Sequence, residues 1–117
     1  MAVPDSALDR IYGLYLRDLA ESNLEYVMFG HIGNNHIHVN ILPRSTAEYK
    51  RGRQLYECWA SEVVAMGGSV SAEHGIGKLK TELLRLMYGD SGMTEIRRVI
   101  EVFNPNGRLN RGNVVDF

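Results

Sequence analysis

All four histidines of this 117-residue chain fall in two short clusters. The first is Gly30-His31-Ile32-Gly33-Asn34-Asn35-His36-Ile37-His38-Val39-Asn40, and the second is Ser71-Ala72-Glu73-His74-Gly75-Ile76-Gly77. Imidazole is the side chain best suited to metal ligation and to proton transfer near neutral pH. Glycine beside it lets a backbone turn sharply or a ligand approach closely. Histidines gathered beside glycines therefore describe a site better than a surface.

Residues 36–42 alternate between polar and apolar, as a half-buried strand requires. Successive strand side chains point to opposite faces. His36, His38 and Asn40 thus share one face, and Ile37, Val39 and Ile41 the other. Residues 25–32 are rich in strand formers, and Gly33-Asn34-Asn35 is turn chemistry, so the pair reads as a β-hairpin. Folding it can bring His31 close to His38. Two imidazoles on paired strands are half of a site for zinc, iron or manganese, which a carboxylate commonly completes. His36 is expected to be a solvent-facing turn residue. The plainer alternative is a hairpin whose outer face is simply polar.

Glu73 is the acidic residue within the clusters and the natural third ligand, after His31 and His38. His74 then serves as a general base. Gly75 and Gly77 allow a cofactor or substrate to approach the backbone. Lys78 and Lys80 could hold a substrate carboxylate, or stand as solvated charges at a helix end. The alternative for the whole segment is a strand-to-helix turn that needs Gly-x-Gly for geometry alone.

The elements that must position these groups follow from periodicity. Leu8, Ile11, Tyr12, Tyr15, Leu16 and Leu19 predict an amphipathic helix over 5–21, started by Asp5 or Ser6. A second helix runs over 46–66 and stops at Gly67-Gly68. Ser69-Val70-Ser71 is a short strand candidate. Helices follow over about 79–88, closed by Gly89, and over about 92–103. Asn104-Pro105-Asn106-Gly107 is a turn, and Arg108 to Phe117 an irregular tail. The expected fold is one α+β domain, an antiparallel sheet with helices on one face.

Composition excludes several classes. With 44% hydrophobic and 23% charged residues the chain is an ordinary globular one. A net charge of −1 argues against nucleic acid or an anionic membrane as partner. The lone Cys58 forbids an internal disulfide and is expected to be a small core residue. With no signal peptide or long apolar run, a cytoplasmic setting is expected. The abrupt Met1-Ala2-Val3-Pro4 start and the lack of a glycine-rich phosphate loop read as part of a longer polypeptide.

Taken together, Gly30-His31-x-Gly33, His38-x-Asn40, Glu73-His74-Gly75-Ile76-Gly77 and Asn104-Pro105-x-Gly107-x-x-Asn110 closely resemble the C-terminal part of the FAD-linked oxidases, flavoproteins of the vanillyl-alcohol-oxidase type. The resemblance spans Val3 to Val114. It implies that the chain is similar to the second half of a ferredoxin-like cap that covers the flavin of a separate FAD-binding domain. It further implies a divalent ion at His31, His38 and Glu73, a base at His74, substrate contact at Asn40, and Asn110 lying toward the FAD. The expected reaction is hydride transfer to FAD from a small 2-hydroxy acid such as D-lactate, glycolate or 2-hydroxyglutarate. The chain departs from the family at two places. Gly33-Asn34-Asn35-His36 stands where many members read Gly-Asp-Gly-Asn, and Asn110-Arg111-Gly112-Asn113 where they read Asn-Pro-Gly-Lys.

Two other classes are weighed. His36-Ile37-His38-Val39-Asn40 resembles histidine-triad nucleotide hydrolases, but a third alternating histidine is replaced by Asn40 and Glu73-His74 goes unused. A non-enzymatic ferredoxin-like binding module with structural histidines is the other.

Overall fold

The computed structural model describes residues 1–115, which form two compact units, Met1–Ala72 and Glu73–Phe117. The last two residues of the predicted tail, Asp116 and Phe117, lie outside the described residues.

In the first unit a 3-10 turn over Asp5–Ala7 leads into α1 (Leu8–Ser22). Neither Asp5 nor Ser6 caps this helix with its side chain, contrary to expectation. The Asp5 carboxylate instead accepts a hydrogen bond from the Asn35 side chain. Asn23, in the left-handed conformation that asparagine tolerates, ends α1. The hairpin follows, β1 (Tyr26–His31) antiparallel to β2 (His36–Ile41). α2 (Thr46–Ala65) starts at Ser45, whose Oγ accepts from the Glu48 amide, while the Glu48 carboxylate accepts from the Arg44 amide. Those reciprocal bonds satisfy donors that a helix start leaves open. Gly67, at φ +76, stops the helix as predicted.

Ile11, Tyr15 and Leu19 of α1 pack with Trp59 and Val63 of α2, and with Val3 and Ala7. Met28, Ile37, Val39 and Ile41 lean on that core from one sheet face. Burying such side chains contributes roughly 1.5–3 kcal/mol each. The Tyr15 and Trp59 rings meet at 4.7 Å, and the Trp59 Nε1–H donates to Asp18 Oδ2 at 2.8 Å. Tyr12 and Leu16, expected in the core stripe, are exposed and line a groove of about 550 Å³ beside β1. Cys58 is also exposed, correcting the core assignment. The inward stripe of α2 runs through Gly52, Trp59, Ala60 and Val63, and Cys58 sits off it.

The α+β class and the antiparallel sheet with helices on one face are as expected, and the described residues contribute two strands to that sheet. The predicted strand at Ser69–Ser71 reduces to a single bridge, Ser69 with Ala2. Its partner segment is too short for a ladder, because Ala2 also bridges His36.

In the second unit α3 (Thr81–Phe103) is broken at Gly89, where φ +64 and ψ −178 suit glycine alone. The predicted pair of helices thus appears as one element with a kink. Leu84, Met93 and Val115 form its small core. The predicted turn at 104–107 is organised by the buried Asn104. Its Oδ1 accepts from the Arg108 and Leu109 amides, and its Nδ2 donates to the Leu109 carbonyl.

Candidate metal and acid–base site

The hairpin register places His31 directly opposite His36, and Phe29 opposite His38. Period-two alternation then puts all three histidines on the sheet face away from the core. A four-residue loop, Ile32–Asn35, closes the hairpin with a 3-10 turn and a left-handed Asn35. The turn's positive φ therefore falls on Asn35, while Gly33 does not use it. Gly30 is needed for a different reason: a Cβ there would sit 2.1 Å from the His36 carbonyl oxygen. Only glycine lets the two backbones close up beside the histidines.

The ring centroids of His31 and His36 lie 5.7 Å apart, those of His31 and His38 5.8 Å, and those of His36 and His38 4.1 Å. One ring nitrogen from each lies within 4.8 Å of the others. Phe29 stacks on His38, centroids 4.9 Å apart and nearly parallel, which holds that ring in place. His31 is exposed, His38 half-buried and His36 buried. The expectation that His36 faces solvent is therefore corrected. It belongs to β2, and the bridge to Ala2 runs at its backbone. Asn40 shares the histidines' face, is exposed, and pairs with Val27.

These residues fit a divalent ion. Imidazole nitrogens are suitable donors for first-row metals. Bound to one ion at about 2.1 Å each, two such donors stand roughly 3.4 Å apart. The three nitrogens, within 4.8 Å of one another, thus stand near the spacing that an ion requires.

Glu73 and His74 open the second unit on an irregular loop. Glu73 Oε1 lies 3.3 Å from His74 Nε2, and both side chains are exposed. Gly75 and Gly77 follow at φ +68 and +57, so both adopt the left-handed conformation that favours glycine. A Cβ on Gly75 would meet nothing within 4 Å, and one on Gly77 only Asn113 Oδ1 at 3.7 Å. The loop thus leaves room for a group to approach its backbone. The Val114 amide donates to the Gly77 carbonyl, tying the tail to this loop. Asn110 is exposed, at φ +50, in the same tail. Lys78 is exposed. Lys80 is half-buried, and burial pulls its ammonium below the usual lysine range.

The structure therefore gathers His31, His36 and His38 within one unit, and Glu73 with His74 within the other. Sequence reasoning missed His36 as a member of the cluster. The available signal was its shared parity with His38 on one strand.

The chain matches the family model described as FAD linked oxidases, C-terminal domain, over residues 1–114. It is 33% identical over 113 residues to a D-2-hydroxyglutarate dehydrogenase of Stutzerimonas stutzeri, a match covering 92% of this chain and 23% of that one. It is 30% identical to a probable mitochondrial D-lactate dehydrogenase of Danio rerio, over all of this chain and 24% of the relative. It is 25% identical to the glycolate oxidase subunit GlcD of Bacillus subtilis, over 81% of this chain and 21% of that one. The chain thus spans about a quarter of the length of these curated relatives.

Proposed function

The chain belongs to the FAD-linked oxidase C-terminal domain family, and from that premise we propose that it is the substrate-covering part of an enzyme that oxidises a small 2-hydroxy acid to the 2-oxo acid. D-Lactate, glycolate and D-2-hydroxyglutarate are the candidate substrates, since relatives are named for them. The observation that carries the reading is the gathering of imidazoles on one hairpin face beside Asn40.

FAD, bound mainly by the FAD-binding domain of the parent chain, supplies the acceptor for the hydride leaving the α-carbon. His31, His38 and Glu73 would hold a divalent ion, which would supply Lewis acidity toward the substrate's oxygens. His74 takes the hydroxyl proton at Nδ1, because Nε2 faces the Glu73 carboxylate, as the α-carbon hydrogen leaves with its electron pair. Glu73 orients that ring through Oε1 and would offer a carboxylate oxygen to the ion. Asn40 and Lys78 bind the substrate carboxylate, one by hydrogen bonding and one by charge. Gly75, Gly77 and the Asn110 segment present backbone to the flavin without side-chain obstruction.

The FAD-binding domain is the partner that this reading requires. Among the described residues no helix is long and apolar enough to cross a membrane. Several relatives are named as mitochondrial, so family membership does not itself imply the cytoplasmic setting.

The test is stopped-flow flavin reduction in the full-length parent. His74→Ala is expected to slow reduction by the preferred acid by about 10²–10⁴-fold, the usual contribution of a positioned base. Undiminished reduction with all three acids would remove His74 as the base.

A further inference from the structure

We propose that His36 is itself a metal ligand, so that one hairpin supplies three imidazoles to the ion. This rests on the metal reading above and adds a residue to it. The family pattern reads Asn at this position, so the resemblance does not supply the assignment.

Three observations carry it. First, His36 is 6% exposed. Its burial sets the ring against its neighbouring imidazoles and away from bulk water. Second, its ring is the nearest neighbour of His38, at 4.1 Å between centroids, and it stands opposite His31 in the ladder. Its ring nitrogen lies within the same 4.8 Å cluster as theirs. Third, all three side chains spring from paired strands, so the donors share one rigid support.

The chemistry then changes in a definite direction. Three imidazoles equal the number of protein ligands in a catalytic zinc site. They favour zinc, cobalt or nickel over manganese or magnesium, which prefer oxygen donors or bind nitrogen more weakly. The hairpin set is sufficient to retain the ion, and Glu73 becomes an added ligand rather than an essential one.

The test uses the 117-residue chain and zinc, titrated against a chromophoric chelator, with X-ray absorption of the loaded protein to count imidazoles. One zinc per chain and three imidazoles are expected. His36→Leu and His36→Asn should each lower zinc affinity at least about tenfold, since even the loss of an outer-shell partner costs that much. Glu73→Gln should lower it less than either. Trp59 emission and urea midpoints establish that each variant is folded, and the imidazole count on the unaltered chain stands even where a variant is not. Zinc held by two imidazoles, with His36→Asn binding as tightly as the parent, overturns the proposal and leaves the His31, His38 and Glu73 reading standing. Failure of the unaltered chain to bind zinc or cobalt overturns both.

Discussion

Gly30→Ala tests the hairpin on which the cluster depends. The added Cβ would lie 2.1 Å from the His36 carbonyl oxygen and 3.1 Å from the Ile37 Cα. The obstacle is backbone, which cannot rotate away as a side chain can. Relief to an ordinary contact requires the strands to part by at least about 1.3 Å. Gly30 faces Ile37, next to the His31–His36 pair. Overpacking of this kind costs about 1–3 kcal/mol. Weakening one or two ladder bonds adds about 1 kcal/mol each. The total is about 2–5 kcal/mol, a large share of the roughly 5–15 kcal/mol that holds a domain together. The assay is urea denaturation followed by Trp59, the sole tryptophan, which is buried in the same unit as the hairpin. With a slope of about 1–3 kcal/mol per molar, the midpoint should fall by roughly 1–2 M. Gly33→Ala is the control, because a Cβ there meets nothing within 4 Å. It should stay within about 0.5 kcal/mol of the parent. A Gly30→Ala variant as stable as the parent, or a Gly33→Ala variant equally damaged, would refute the close-approach argument.

Asn104→Ala removes three hydrogen bonds from a buried turn and should cost about 2–3 kcal/mol, seen as faster amide exchange at Arg108 and Leu109; unchanged exchange counts against it. Gly89→Ala forces a Cβ into a region open to glycine alone and should destabilise the second unit by about 1–3 kcal/mol in thermal unfolding. Cys58 should react stoichiometrically with a maleimide in the native state, and Cys58→Ser should leave stability within about 0.5 kcal/mol. Burial lowers the Lys80 pKa in the folded state, so the unfolded chain holds this proton to higher pH. Stability should therefore rise with pH on the approach to the unfolded lysine value of 10.5, and Lys80→Met should reduce that slope in denaturation series run at successive pH values. Equal slopes in the two proteins would contradict the assignment.

The features legible in the sequence are those written locally. Residues 25–32 and 36–42 were readable as strands because β-rich composition and period-two alternation sit within single segments, and the strands run over 26–31 and 36–41. The C-terminal end of α2 and the break at Gly89 were readable because glycine suits the positive φ found at Gly67 and Gly89. The burial of His36 was not readable. It arises where Met1–Val3 runs along β2, with Ala2 bridged to His36 and Val3 bonded to the Asn35 carbonyl. Nothing near His36 in the sequence announces a partner thirty residues away. The Ser69 strand failed for the same reason in reverse, since its length depends on a three-residue partner. Tyr12 and Leu16 show a further limit. Helical spacing gives the width of an apolar stripe, but not how much of it a neighbouring element covers.

The two halves of the candidate site are built from different backbone. The histidines stand on paired strands held close by Gly30, so their spacing is set before any ion arrives. Preorganised donors lose little side-chain and backbone freedom on binding, which favours holding a metal tightly. Glu73 and His74 stand on an irregular loop followed by two left-handed glycines, a backbone suited to adjustment when substrate and flavin enter. On the proposed reading, a rigid element would hold the ion and an adaptable one would handle the proton, because the ion's geometry would have to persist through turnover while the base would have to meet each substrate. The same contrast explains why the loss of an imidazole should be felt first in zinc affinity, and the loss of His74 first in the rate of flavin reduction. A His74→Ala variant that loaded zinc normally yet reduced its flavin slowly would locate the two functions on the two elements. One that lost both together would show that loop and hairpin act as a single unit.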